Sequence, residues 1–462
     1  VDTLIDTRTG IVRGTVRLPA EVWWPHGLDI VVADVADMMR HLPWPADRVA
    51  TGTAFANPEQ AHRAAIGEAV ERYCGNFVPA GLRRTSHRQL RAAGHRAIDP
   101  QALALHSPAQ YAHPDFPFEP YTRDVEVLWT AGYAVADGTP TAVPASLVYV
   151  NWLLPPRDDE PRTNFSMLAG LAAGPTRAAA ETAALEEVIE RDATVIWWAN
   201  GLPARPVDVS HPALSRLLVP DPERGSGWAR ATGRTTAIRY RILAIPTVFD
   251  VSVVGVLIDD PDLRITAIGV AARPEPTAAV AKALAEAVTL RRYAAGLLDP
   301  DGEIWQAARS GLVDGTVFHL WRADRRYTHS YRPDWADVVD LGCHAQLWLD
   351  PAMSEHLHPI TAGEEQVRLD DLPHLRGDIR AAYLNRLAGQ GIEAVAVDAT
   401  TSDAASAGLA VVRVVAPGTY GNSPAAYPFL GGSRLYTDPV QLGLRAAPLR
   451  EAEVNRVPLP HT

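Results

Sequence analysis

The chain has 462 residues, 47% of them hydrophobic and 21% charged, with a formal charge of −11 at pH 7. That length and composition allow one large domain or a few average ones around a packed core, and they exclude global disorder. The acidic balance excludes nucleic-acid binding driven by bulk electrostatics.

In chain order, residues 1–50 alternate short β-like runs, at 10–18 and 28–33, with turns. Asn57 and Pro58 then open a helix, Asn57 as its cap and Pro58 in its first turn, which runs through Glu68 and Glu71 to about Cys74. Residues 77–160 are rich in proline, with a strand expected at 145–154. A small-residue turn is expected at 170–174, followed by an Ala-rich helix that reaches Trp197 and Trp198. Strands are expected at 235–243, 246–250, 251–258 and 266–272, and a third Ala-rich helix at 276–297. The stretch 300–375 is irregular and reads as an excursion from the core. A helix at 375–390 and strands at 392–398 and 409–415 close a mixed α/β pattern of helices layered on sheets.

Several chemistries are excluded. There is no Gly-x-x-x-x-Gly-Lys-Ser/Thr and no Gly-x-Gly-x-x-Gly, so neither a P-loop nor a Rossmann site has support. Lys282 is the single lysine, which leaves one amine for any Schiff base. Residues 170–174 have the spacing of a nucleophile elbow, but Ala172 stands where serine is needed. The fifteen histidines show no metal-binding spacing; Cys74 and Cys343 are far apart, outside any Cys-x-x-Cys, and read as buried thiols in a reducing cytosol. No apolar run is long enough to span a bilayer, so a soluble, cytoplasmic protein is expected. The chain opens on Val rather than Met, so residues upstream are expected.

The most informative feature is a helix written twice. Residues 64–73 and 183–192 each carry Glu-x-x-Glu-Arg in an Ala, Val and Ile background: Glu68, Glu71 and Arg72, then Glu187, Glu190 and Arg191. Residues three apart share a helix face. Taken singly, such charges belong to a solvated face, but helices this apolar on several sides are buried, and buried acids need partners or a metal. Two such helices packed face to face bring four carboxylates and two guanidiniums into one cleft, a donor set suited to Mg²⁺ and phosphate.

These residues resemble the YcaO superfamily, specifically its azoline-forming cyclodehydratases, and the resemblance runs along nearly the whole chain. The opening at 4–13, the helices at 65–73 and 187–193 followed by Trp197 and Trp198, and the stretches 398–403, 411–418 and 430–436 are similar to ordered motifs of that family. The resemblance implies one YcaO domain over 1–462: a β-rich part to residue 50, the helix-bearing core at 51–300, the excursion at 301–375, and a C-terminal core with a Pro-containing tail at 376–462. The implied fold is α/β, with mixed sheets and layered helices forming a nucleotide cleft. The implied activity is ATP-dependent cyclisation of Cys, Ser or Thr in a ribosomal precursor peptide to thiazoline or oxazoline. On this resemblance Glu68, Glu71, Glu187 and Glu190 hold Mg²⁺ and nucleotide, Arg191 meets phosphate, and Arg72, Glu286 and Arg291 contribute to the same pocket. Pro458, Pro460 and Thr462 stand in a shortened form of the family's Pro-x-Pro-x-Pro tail, which implies a place at the catalytic centre.

There are departures. Ala64 and Ala172 stand where the family has serines, Pro175 where it has asparagine, Ala179 where it has glutamate, and Thr289 where glutamine is common. Asn164, Ser166 and Glu181 are the polar residues expected to compensate. A separate leader-binding domain before residue 1 is not expected, so a partner resembling the E1-like or ThiF-like proteins of such clusters is expected to deliver the peptide, and homodimerisation is expected by resemblance. Two alternatives stay open: a scaffold or peptide-binding subunit without ATP turnover, and a thioamide- or amidine-forming enzyme of the same family.

Overall fold

The computed structural model describes residues 2–461 apart from 41, 43–45, 155–156, 219–237, 311–317 and 364. Among the described residues three sheets form, and all pairings between their strands are antiparallel. The first has the order β1 (Val12–Arg17), β2 (Leu28–Val35), β3 (Val49–Phe55). The second runs β4 (Arg83–Thr85), β5 (Val127–Ala134), β12 (Val395–Asp398), β13 (Ala410–Val415), β7 (Leu171–Gly174), with β6 (Pro140–Pro144) also paired to β5. The third runs β11 (Ile265–Arg273), β10 (Ser252–Asp260), β9 (Arg239–Ala244), β8 (Arg205–Pro206). The fold is the mixed α/β arrangement expected.

Three long helices position the site. In α1 (Pro58–Asn76), Asn57 accepts from Gln60 N–H at 3.0 Å and Pro58 occupies the first turn. In α2 (Arg177–Ala199), Thr176 accepts from Ala179 N–H at 3.2 Å. The third, α3 (Pro276–Gly296), starts on a proline. Each lies unusually close to a strand, and a glycine makes that possible. A Cβ on Gly52 of β3 would stand 2.1 Å from Ala61 O and Ala65 N of α1. A Cβ on Gly174 of β7 would stand 2.6 Å from Ala180 N of α2, and one on Gly269 of β11 2.1 Å from Ala283 O of α3. The alanines that made these helices look apolar are the surfaces against which the strands sit.

The sequence expectation fails in instructive places. Residues 145–154 are a 3-10 turn (Ala145–Leu147) followed by turns, because the segment wraps the end of α1: Val150 N–H donates to Gly75 O, and Asn151 sits at φ +56° with its amide on Asn76. Residues 246–250 are the connection of the β9–β10 hairpin, where Pro246 has no N–H to give and Asp250 takes φ +50°. Of the turn expected at 170–174 only Gly170, at φ +85°, is in a turn, and Leu171–Gly174 form strand β7; β3 was not anticipated as a strand. The beginning of the expected 235–243 strand lies outside the described residues. The 301–375 stretch, expected to be irregular, carries short helices at Glu303–Arg309, Gly342–Leu347 and His358–Thr361, and Tyr327, Tyr331, Leu347 and Trp348 pack in the main core with Leu185, Ile189 and Trp197 of α2. A fourth helix, α4 (Ile379–Gly389), joins the same core through Tyr383 and Leu387.

The glycine contacts generate a paired prediction. Gly269→Ala forces β11 and α3 apart and lowers unfolding free energy by about 2–3 kcal/mol or more. Gly67→Ala, in α1 with open space around its Cβ, raises it by about 0.5–1 kcal/mol through helix propensity. Urea unfolding of the two variants measures both.

Candidate functional site

The helices and strand edges enclose a cleft of about 2690 Å³ whose lining includes Glu68, Glu71, Arg72, Glu187, Glu190, Arg191, Lys282, Glu286 and His461. The four glutamates of the repeated motif and both its arginines therefore meet. They do so differently from the face-to-face packing expected, because β7 makes contact with both α1 and α2. Each carboxylate is fixed by a backbone amide. Glu68 Oε2 accepts from Thr51 N–H of β3 at 3.1 Å and Glu71 Oε1 from Ala173 N–H of β7 at 2.7 Å. Glu187 Oε2 accepts from Gly170 N–H just before β7 at 2.8 Å, and Glu190 Oε2 from Ala272 N–H of β11 at 3.2 Å. These amides belong to edge strands, or to the residue leading into one, so the acids finish hydrogen bonding that the sheets leave undone.

The remaining oxygens set the electrostatics. Arg72 Nη2 donates to Glu68 Oε1 at 2.6 Å, while Arg191 Nη2 lies 3.4 Å from Glu190 and 3.8 Å from Glu187. Lys282 Nζ pairs with Glu286 Oε1 at 2.9 Å. Burial, reinforced by the Glu68 and Glu187 charges, pushes the Glu71 carboxyl up to about 8 against the pull of the Ala173 amide and Arg72. Burial, with repulsion from Glu286 and Glu187, also raises Glu190 despite Arg191 and Arg273. For Glu286 the burial penalty is overcome by Lys282, with Arg191 adding to it, so it stays ionised. Glu286 Oε2 is buried without a hydrogen bond at normal distance; His461 Nε2 is 3.8 Å away. Among the described residues no three His, Cys, Asp or Glu side chains form a ready-made metal group. This donor set suits a cation that takes part of its coordination from phosphate and water, as Mg²⁺ does.

The tail at 455–461 is tied down beside the cleft, which it lines through His461. Trp198 Nε1 donates to the Val457 carbonyl at 2.6 Å and Trp348 Nε1 to the Pro458 carbonyl at 2.8 Å. The Ile268 amide donates to the Pro460 carbonyl at 3.1 Å. Burial pushes His344 down to about 4, which leaves the ring neutral, and the Leu459 carbonyl 3.1 Å from Nδ1 can only accept, which puts the ring's one proton on Nδ1. This threading inserts His461, 5% exposed, with Nε2 3.0 Å from Arg191 Nη1. Pro458 and Pro460 thus serve as anchored tail residues beside the cleft, and Thr462 lies outside the described residues.

One expected site residue is elsewhere. Arg291 is five residues beyond Glu286, about 140° around the helix, and faces away from the cleft. Its Nε donates to Asp260 Oδ2 at 2.9 Å and its guanidinium lies over Trp23, 4.1 Å from the ring centre. Of the residues expected to compensate, only Ser166 lines the cleft. Glu181 is committed to Tyr133 and Arg380, both at 2.7 Å, and Asn164 to Ser146 and Thr163. Ala64, Ala172, Pro175 and Thr289 do line the cleft, whereas Ala179 does not.

Sequence reasoning missed His461, Lys282 as a cleft residue, and Arg413. The i,i+4 pair Lys282 and Glu286 was a usable signal. Arg413, fully buried on β13, gave none: it donates to the carbonyls of Val148, Leu168 and Ala169, and so holds the loop that aims Gly170 N–H at Glu187.

The profile of one family, described as YcaO cyclodehydratase, ATP- and Mg²⁺-binding, matches residues 54–420. The chain belongs to the YcaO cyclodehydratase family. No curated protein gives a significant match. Among solved structures, a heterocyclase in complex with substrate and cofactor superposes with TM-score 0.70 at 22% identity, over 99% of this chain and 56% of that one. The heterocyclase TruD gives 0.60 at 21%, over 87% and 50%. YcaO from Methanopyrus kandleri, bound with AMPPCP and Mg²⁺, gives 0.54 at 19%, over 89% and 90%. At these identities the likeness is one of fold, and the chain spans about half the length of the two heterocyclases.

The raised Glu71 carboxyl has a signed consequence. With an unfolded value near 4.5 and a folded value of about 8, the folded state holds the extra proton in between, so stability falls as pH rises through that window. Glu71→Gln removes this slope. The variant matches wild type at pH 4.5 and is more stable at pH 8.5, by about 1–3 kcal/mol, as measured by metal-free thermal unfolding across pH.

Proposed function

We propose that the chain is the ATP-dependent cyclodehydratase subunit of a system that modifies a ribosomal precursor peptide, converting Cys, Ser or Thr to thiazoline or oxazoline. The observation that carries this reading is the set of four glutamates, each fixed by a backbone amide, around a cleft that also holds Arg191 and Lys282. The Cys, Ser or Thr side chain would attack the preceding backbone carbonyl and lose its proton, closing the ring; bound ATP with Mg²⁺ would supply an electrophilic phosphoryl group for the former amide oxygen, whose loss as phosphate, with the amide proton, leaves the azoline.

The chain's own residues account for binding and orientation. Glu68, Glu71, Glu187 and Glu190 would hold the metal, their orientation set in advance by the edge amides, so little ordering is left to pay on binding. Arg191 and Lys282 supply positive charge for phosphate, with Arg72 beside Glu68. Deprotonation of Glu71 and Glu190 accompanies cation binding, because a cation offsets the burial penalty, and with it the repulsion from neighbouring acids, that keeps them protonated. His461 is kept neutral by burial and by Arg191, and so turns a polar, uncharged group towards the guanidinium.

A partner resembling the E1-like or ThiF-like proteins delivers the peptide in this reading, and the subunit works as a homodimer. Support for a peptide substrate comes from the likeness in fold, TM-score 0.52 at 12% identity over 88% of this chain, to one chain of the E. coli microcin synthetase complex solved with pro-MccB17 bound. The scaffold reading has its own observation: Ala64, Ala172, Pro175 and Thr289 line the cleft where the family's polar residues are expected.

Calorimetric titration with nucleotide separates the two. The enzyme reading expects Mg²⁺-dependent ATP binding, weakened at least tenfold in the Glu187→Gln, Glu190→Gln double variant. Folded protein that binds no nucleotide, alone or with its partner, leaves the scaffold reading. Because Lys282 is the single lysine, its ε-amine also reports on the cleft. Saturating Mg²⁺ and nucleotide slow its acylation by an amine-selective reagent at least fivefold, read by peptide mass.

A further inference from the structure

Three strand edges reach the cleft, and one of them is open. The direction of each peptide group along β3 follows from its pairing with β2. Val35 N–H donates to the Arg48 carbonyl and Ala56 N–H to the Gly27 carbonyl, with Val31 opposite Gly52 in the same register. Alternate residues of an antiparallel pair exchange hydrogen bonds, so Ala50, Gly52 and Ala54 turn their peptide groups to β2. Val49, Thr51, Thr53 and Phe55 turn theirs outward. Thr51 N–H, held by Glu68, obeys this parity. The amides of Thr53 and Phe55 have no partner among the described residues, and both residues line the cleft.

The other two edges are engaged in part: the outward amides of Leu171, Thr266 and Val270 have no partner among the described residues, but of these three only Leu171 lines the cleft. On β7, Ala173 N–H goes to Glu71. On β11, Ile268 N–H goes to the Pro460 carbonyl and Ala272 N–H to Glu190. The contact at β11 demonstrates what such an edge accepts, namely an extended segment held by its backbone. β3 also lacks the guards of an exposed edge: Val-Ala-Thr-Gly-Thr-Ala-Phe contains no charge and no proline. Space is available as well, since about 2690 Å³ exceeds the roughly 300–1,000 Å³ of a site for one small ligand.

We propose that the open edge of β3 is the docking strand for the substrate, and that an extended segment of the peptide adds to it through the outward amides and carbonyls of Thr53 and Phe55. The proposal rests on the cyclodehydratase reading. Glu68 occupies the neighbouring outward position on the same edge, so a peptide docked there passes beside the acids. Pairing of this kind reads backbone rather than side chains, so the residues flanking the reacting one are free to vary.

The probe is a pool of synthetic decapeptides, each with one Cys among Gly, Ser, Val and Asn, added with Mg²⁺ and a non-hydrolysable ATP analogue. In wild-type protein the pool slows amide hydrogen exchange at Thr53 and Phe55 at least tenfold and leaves Thr15, on the opposite edge strand of that sheet, unchanged. Thr53→Pro removes one outward amide and no bond of the β2 ladder. It keeps its affinity for the analogue and loses at least tenfold in affinity for the pool, while Thr15→Pro keeps both. Unchanged exchange at Thr53 and Phe55, equal pool affinity in Thr53→Pro, equal losses in the two variants, or no pool binding by wild type that binds the analogue overturns the docking strand. Failure of wild type to bind the analogue overturns the cyclodehydratase reading instead.

Discussion

The cleft depends on one interaction repeated four times: a glutamate carboxylate accepting a hydrogen bond from the backbone amide of a sheet edge or of the residue leading into it. Thr51, Ala173 and Ala272 belong to three different sheets, and Gly170 leads into one of those strands. The acids tie the sheets to the helices and are themselves held in place by the sheets. The glycines at 52, 174 and 269 make this reach possible, because a methyl group at any of them would collide with the helix backbone. A short side chain such as glutamate spans from helix to edge only while strand and helix remain that close.

The same arrangement explains why the acids are crowded. An amide donor compensates a carboxylate in part, yet burial and neighbouring acids still leave Glu71 protonated to about pH 8. A structure that needed only to cap strand ends would be served by a serine or asparagine at lower electrostatic cost. Lys282 and Arg191 balance Glu286 and part of Glu190, and the tail adds His461 without adding charge. The positive and negative groups of the cleft are thus interleaved, a pattern that favours a ligand carrying both a cation and phosphates.

Much of this was legible in the chain and some was not. The repeated Glu-x-x-Glu-Arg singled out Glu68, Glu71, Glu187 and Glu190, which do line one cleft, since periodicity fixes which residues share a helix face. Arg291 failed on the same ground, because a separation of five residues from Glu286 puts it across the helix. β3 escaped notice since its buried positions, Ala50, Gly52 and Ala54, are small rather than bulky, and that smallness is what lets α1 pack on it. The segment at 145–154 had the opposite fault: its apolar residues are buried in turns around the end of α1, and periodicity cannot tell buried turns from a buried strand. Arg413 and His461 act through carbonyls and neighbours hundreds of residues away, so no local pattern announces them.

Sheets with bare edges invite pairing between molecules. This fold turns three of its edges inward and satisfies much of them with acids and with its own tail. The arrangement carries a liability for the unassembled chain. If α1 or α3 is not docked, strands without charged or proline guards are exposed together with the apolar faces behind them. Faulty folding would therefore end in aggregates rather than in soluble, inactive protein, and recovery of soluble chain becomes a direct measure of whether the cleft has been built.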